Sequence, residues 1–114
     1  MKISSHCEEC KAYLGKPFLG VHKWLDEFQT PENTVEHREQ RHNKQGIEEL
    51  LSAHSRKDAG QDELRLICIA AVLHIISDYY GPRSFIQAKK EFCNENNYYR
   101  LLERVKKSKL IPSR

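Results

Sequence analysis

Two pairs of residues in this sequence have the chemistry and spacing of ligands. His22 and Asp26 lie four positions apart, as do His74 and Asp78. On a helix, residues four apart differ in direction by about 40°, so the imidazole and carboxylate of each pair project from one face and can grip a common ion. His22 and Asp26 flank an apolar stripe, whereas His74 interrupts an apolar run. A buried imidazole needs a hydrogen-bond partner or a metal, since leaving it unsatisfied costs about 1 to 3 kcal/mol.

A further group, His37, Arg38, Arg41 and His42, stands between the two pairs. His37 and His42 are separated by about 140° on a straight helix, so one of them is expected as a ligand and the other as a neighbour of the site. The candidate metal ligands are therefore His22, Asp26, His74 and Asp78 with His37 or His42. Nitrogen and carboxylate donors suit a divalent transition metal (Zn, Mn, Fe or Ni) better than Ca or Mg, which prefer all-oxygen shells. Such an ion can activate water for hydrolysis, with Arg38 or Arg41 holding an anionic, phosphate-containing substrate. The competing reading is a non-enzymatic interaction protein, of phage or mobile-element origin, in which the same side chains form a structural hydrogen-bond network. His6 is open to either role. Cys7 and Cys10 have the spacing of a zinc half-site, but no second half completes it, and Cys68 and Cys93 read as packing residues.

The elements that must position these residues are helical. Ser5-His6-Cys7-Glu8 has the form of a capping box for a helix from His6 to Leu14, stopped by Gly15. Pro17 suits the first turn of a second helix with Phe18, Val21, Trp24, Leu25 and Phe28 on one face. Thr30-Pro31 predicts the start of a long third helix running to about His54 and packing through Ile47, Leu50 and Leu51. After a polar loop ending at Gly60, a fourth helix from Asp62 to Tyr80 is apolar on nearly every face between Leu66 and Ile76, which makes it the expected centre of the fold. Gly81-Pro82 ends it. A fifth segment from Ser84 to Phe92 and a sixth helix from Tyr98 to Lys107 follow.

The 114 residues are 39% hydrophobic and 31% charged, the balance of one folded domain. The run Leu66 to Ile76 falls short of the roughly 20 residues that cross a bilayer, so no membrane association is expected. The opening residues lack the apolar stretch of a secretory signal, which predicts a cytoplasmic location with reduced cysteines. The formal charge of +3 is uneven: residues 100–114 carry six basic side chains against Glu103. That run is the only feature favouring nucleic acid as a partner, and a solvated helix end accounts for it more simply. Residues 108–114 are expected to form a flexible basic tail. The sequence leaves open whether the protein forms a homo-oligomer.

Taken together, the segments from Val21 to Asp26, His37-Arg38, Arg41-His42 with Gly46, and His74 to Asp78 with Gly81-Pro82 resemble a family of small uncharacterised helical proteins of bacteria and phages. Its pattern is H-x-W-x-D, then H-R-x-x-R-H-x-x-x-G, then H-x-x-x-D-x-x-G-P. The resemblance spans about residues 6 to 82, includes an early His like His6, and carries no activity with it. The ligand types are also similar to those of metal-dependent phosphohydrolases built on a helical bundle, but this chain has no adjacent His-Asp pair. The expected fold is all-α: one domain, residues 1–114, of four to six helices packed around a central apolar helix.

Overall fold

The computed structural model describes residues 2–28, 40–81 and 84–113, and every regular element among them is a helix. In chain order these are α1 (Ile3–Leu14), α2 (Leu19–Leu25), α3 (Lys44–Ser55), α4 (Gln61–Tyr80), α5 (Ser84–Ala88), which runs into a π-helical turn (Lys89–Cys93), and α6 (Tyr98–Lys107). The all-α bundle around a central helix is as expected. Every residue of α4 from Ile67 to Ser77 is buried, and α1, α2, α3, α5 and α6 all pack against it. A helix that is apolar all round needs neighbours on every side, and this arrangement supplies them.

Three local features bear on the site. Gly15 closes α1 in the left-handed region, at φ 82°, and its N–H donates to the Lys11 carbonyl. α1 itself starts at Ile3 with Lys2 as its cap residue, so Ser5 lies inside the helix and does not cap it. α2 is short: it ends at Leu25, which takes Phe28 out of the helical stripe and leaves it 45% exposed, while Val21 and Leu25 enter the core.

The long third helix is not continuous through its described part. Residues 40–43 are non-helical, Arg41 sits at φ 68°, and α3 begins at Lys44 with Asn43 as its cap. The Asn43 side chain accepts a hydrogen bond from the Gly46 N–H at 2.8 Å, so the helix is started locally by a strong capping residue. The expected start at Thr30-Pro31 lies outside the described residues.

The segment after α6 is docked, contrary to the expected flexible tail. Ile111 is 2% exposed and belongs to the core, Leu110 packs against it, and the Pro112 carbonyl accepts from the Lys44 N–H at 3.2 Å. Two apolar side chains after the Ser108 turn give this stretch something to bury, and the carbonyl satisfies an N–H at the start of α3 that the helix cannot pair itself. Ile111→Ala should therefore lower unfolding free energy by about 2 to 5 kcal/mol, with truncation after Lys107 at least as damaging. Urea denaturation checks this, and an unchanged midpoint in both variants would contradict it.

Candidate metal centre

The inward ends of α2 and α4 meet at the residues predicted from the two spaced pairs. His22 comes from the middle of α2, and Asp26 is the residue that terminates it. His74 and Asp78 come from successive turns of α4, and His42 comes from the non-helical turn before α3. The side chains of His42 and His74 are 0% exposed, and those of Asp26 and Asp78 are 4% exposed. His37 and Arg38 lie outside the described residues, so His42 is the histidine of that group with a described place in the cluster.

Four atoms converge. His42 Nε2 stands 3.1 Å from Asp78 Oδ2, 3.3 Å from Asp26 Oδ1 and 3.2 Å from His74 Nε2. His74 Nε2 stands 3.2 Å from each of the same two carboxylate oxygens. These are five of the six edges of a tetrahedron. A regular tetrahedron with 3.2 Å edges has its centre about 2.0 Å from each corner, the length of a zinc bond to imidazole or carboxylate.

Tautomers decide what those corners present. A carbonyl only accepts, so His42 Nδ1, 3.0 Å from the Gln40 carbonyl, carries a proton. In neutral His42 the lone pair is then on Nε2 and points to the centre. His22 Nε2 likewise donates to the Pro17 carbonyl at 3.0 Å, which leaves His22 Nδ1 to accept from His74 Nδ1 at 2.9 Å. The His74 lone pair is thereby fixed on Nε2, again facing the centre. Two carboxylates and two imidazole lone pairs directed at one point need a positive charge between them.

His22 is thus placed behind His74 and not at the convergence point. Its ring meets the His74 ring edge to edge, with centroids 5.2 Å apart and planes within 18°. The structure also brings in His6, which sequence reasoning left undecided. His6 Nε2 donates to Asp78 Oδ1 at 3.1 Å, and its ring stacks on His74 with centroids 3.8 Å apart. The available signal was its position one turn before Cys10, the other buried residue of α1. His6, His22 and His74 also approach one another as a possible metal-holding group. Their near-parallel planes direct the in-plane lone pairs of the stacked rings alongside each other, however, so they converge poorly on one ion.

Electrostatics follow from burial and these partners. Burial opposes charge on His42, but hydrogen bonds to Asp26 and Asp78 outweigh it and push its pKa up to about 9. Burial alone would raise Asp26 and Asp78, yet hydrogen bonds from His42, and for Asp78 also from His6, together with the adjacent His74 ring, hold both carboxyls below the usual range. His22 is pushed down to about 3 by burial and then by the neighbouring His74 and His6 rings. His6 is also lowered, chiefly by burial, and its Nδ1 has no hydrogen-bond partner.

The remaining candidates have other tasks. Arg41, expected to hold an anionic substrate, is folded over Trp24 with its guanidinium carbon 3.9 Å from the ring centroid, and it bonds to the Trp24 carbonyl and the Glu27 carboxylate. The four cysteines are free thiols. Cys10 is wholly buried, its thiol pushed up to about 12 by burial and next by the Glu9 carboxylate, which suits a packing residue better than half of a zinc site.

Without a bound ion, the His42 contribution to stability is fully present below the ordinary histidine value of 6.5 and is lost progressively as pH rises from there to about 9. His22 and His6 act in the opposite sense: their folded pKa values are depressed, so stability is lost as pH falls below 6.5 and the unfolded chain takes up protons. Chelator-treated protein should accordingly be most stable near pH 6.5 and lose stability on either side of it. Urea midpoints measured from pH 5 to 10 in EDTA check this, and a midpoint that rises between pH 7 and 9 would contradict it.

Compared with family models, with curated proteins and with solved structures, the chain matches none of them.

Proposed function

We propose that this protein is a metal-binding helical domain that holds one zinc ion through His42 Nε2, His74 Nε2, Asp26 Oδ1 and Asp78 Oδ2. The observation that carries the reading is the set of 3.1–3.3 Å separations among these atoms, which match the edges of a tetrahedral site. Charge balance supports it. A divalent ion neutralises both carboxylates while the imidazoles stay neutral. One proton on His42 leaves the pair short of a charge, and two imidazolium N–H groups cannot face each other across 3.2 Å. His22 and His6 complete the arrangement as outer partners, one fixing the His74 tautomer and the other holding the second oxygen of Asp78.

The geometry favours a structural ion over a hydrolytic one. A catalytic zinc keeps a position open for water, whereas here four protein atoms fill a tetrahedral set in the protein interior. The ion would brace α4 to the end of α2 and to the turn before α3. The second reading, a hydrogen-bond network without metal, draws on the raised pKa of His42, since a proton between the two carboxylates also supplies positive charge.

Two measurements separate these readings. Elemental analysis of protein purified without a polyhistidine tag should find about one transition-metal ion per chain, and added zinc should raise the melting temperature of chelated protein. Metal-free protein that gains no stability from Zn, Fe, Mn or Ni would leave the network as the better account. Because the ion displaces the His42 proton, zinc affinity should also rise about tenfold per pH unit from pH 7 towards 9 and then level off.

The roles within the site differ in consequence. His74→Ala and His42→Ala should each abolish stoichiometric binding, and the double variant should be hardly worse, because ligands of one ion act as a unit. His22→Ala should weaken binding by about 10- to 100-fold without abolishing it. Isothermal titration of the four variants reads this out, and complete loss in His22→Ala would move His22 into the coordination sphere.

A further inference from the structure

We infer that Arg41 and Gly46 are positioning residues of this centre, locking the turn that carries His42 against the end of α2 that carries Asp26. The inference rests on the metal reading above and extends it to residues that do not touch the ion.

Arg41 and Glu27 adjoin the two ligands in sequence, Arg41 preceding His42 and Glu27 following Asp26. The Arg41 guanidinium spans the gap between them. Its Nη1 donates to the Trp24 carbonyl at 2.9 Å and to the Glu27 carboxylate, and the same group lies 3.9 Å from the Trp24 ring centroid and 4.6 Å from that of Phe28. A planar, delocalised cation is suited to stack and hydrogen-bond in this way at once. The arginine thus ties together the two segments that each supply a ligand from outside α4.

The backbone of the same residue is held from the other side. Arg41 adopts φ 68°, a left-handed conformation that a residue with a side chain keeps only when its surroundings impose it. Gly46 supplies the space for it. A Cβ on Gly46 would stand 2.0 Å from the Arg41 carbonyl oxygen, 2.5 Å from its carbonyl carbon and 2.6 Å from its Cα. These are backbone atoms, so no rotamer change relieves the clash. The Gly46 N–H also anchors Asn43, one residue beyond His42. Within this turn the Gln40 carbonyl receives the His42 Nδ1 proton, and so the backbone path over Gly46 sets both the place and the tautomer of the ligand.

Arg41→Ala and Gly46→Ala are compared with the wild-type chain by zinc competition against a chromophoric chelator and by the visible absorption of the cobalt(II)-loaded protein. Each variant should bind zinc about 10- to 100-fold more weakly while keeping wild-type helical content by circular dichroism. The cobalt spectrum should lose intensity as the tetrahedral set opens to water, a change that a simple loss of fold stability would not produce. If Gly46→Ala does not fold, Arg41→Ala decides alone. Variants with wild-type affinity and an unchanged cobalt spectrum would overturn the positioning role while leaving the metal site standing. A wild-type chain that binds neither ion overturns the metal reading, and this inference with it.

Discussion

The structure depends on how negative charge is held in its interior. Two aspartate carboxylates lie almost wholly out of water beside imidazoles whose lone pairs share the same point. Buried charge of one sign is costly unless a partner is fixed beside it, and the cost grows as water is excluded. The helices that exclude the water are also the ones that deliver the partners. Packing and charge compensation are therefore a single problem, solved where α2, α4 and the turn before α3 meet.

Much of the hydrogen bonding around this point concerns direction more than attraction. Pro17 and Gln40 contribute only backbone carbonyls, yet those carbonyls determine which nitrogen of His22, His74 and His42 is protonated. The preference passes along a row: carbonyl to His22, His22 to His74, His74 to the centre. A site of this kind is specified as much by backbone path as by its side chains. Phe18, at φ 53°, and Arg41, at φ 68°, mark the two places where that path takes an unusual conformation next to the cluster.

The central helix and the paired spacing were readable because both are periodic. The apolar run of α4 and the four-residue separations of His22/Asp26 and His74/Asp78 depend only on helix geometry, and α6 coincides with its predicted span, Tyr98–Lys107. The division of labour within the cluster was not readable. Spacing puts His22 and Asp26 on one face, but only the position of the Pro17 carbonyl sends one to the centre and the other behind His74. His6 sits in another helix, and nothing in its local sequence points 72 residues ahead to Asp78. The break before α3 was missed because the third-helix pattern of apolar residues gave no weight to Asn43 as a start signal. Ile111 was missed because two apolar residues among basic ones do not announce a docking site.

The central helix also poses a problem of its own. From Ile67 to Ser77 every residue is buried, so hydrophobic burial gives α4 little reason to prefer one rotation about its axis or one axial offset over another. His74 breaks that degeneracy. Turned by one residue, its imidazole would face hydrocarbon and lose His22, His42 and Asp26 together. The polar pair on α4 therefore acts as a key in a keyway, and the five helices packed around it inherit their register from a histidine.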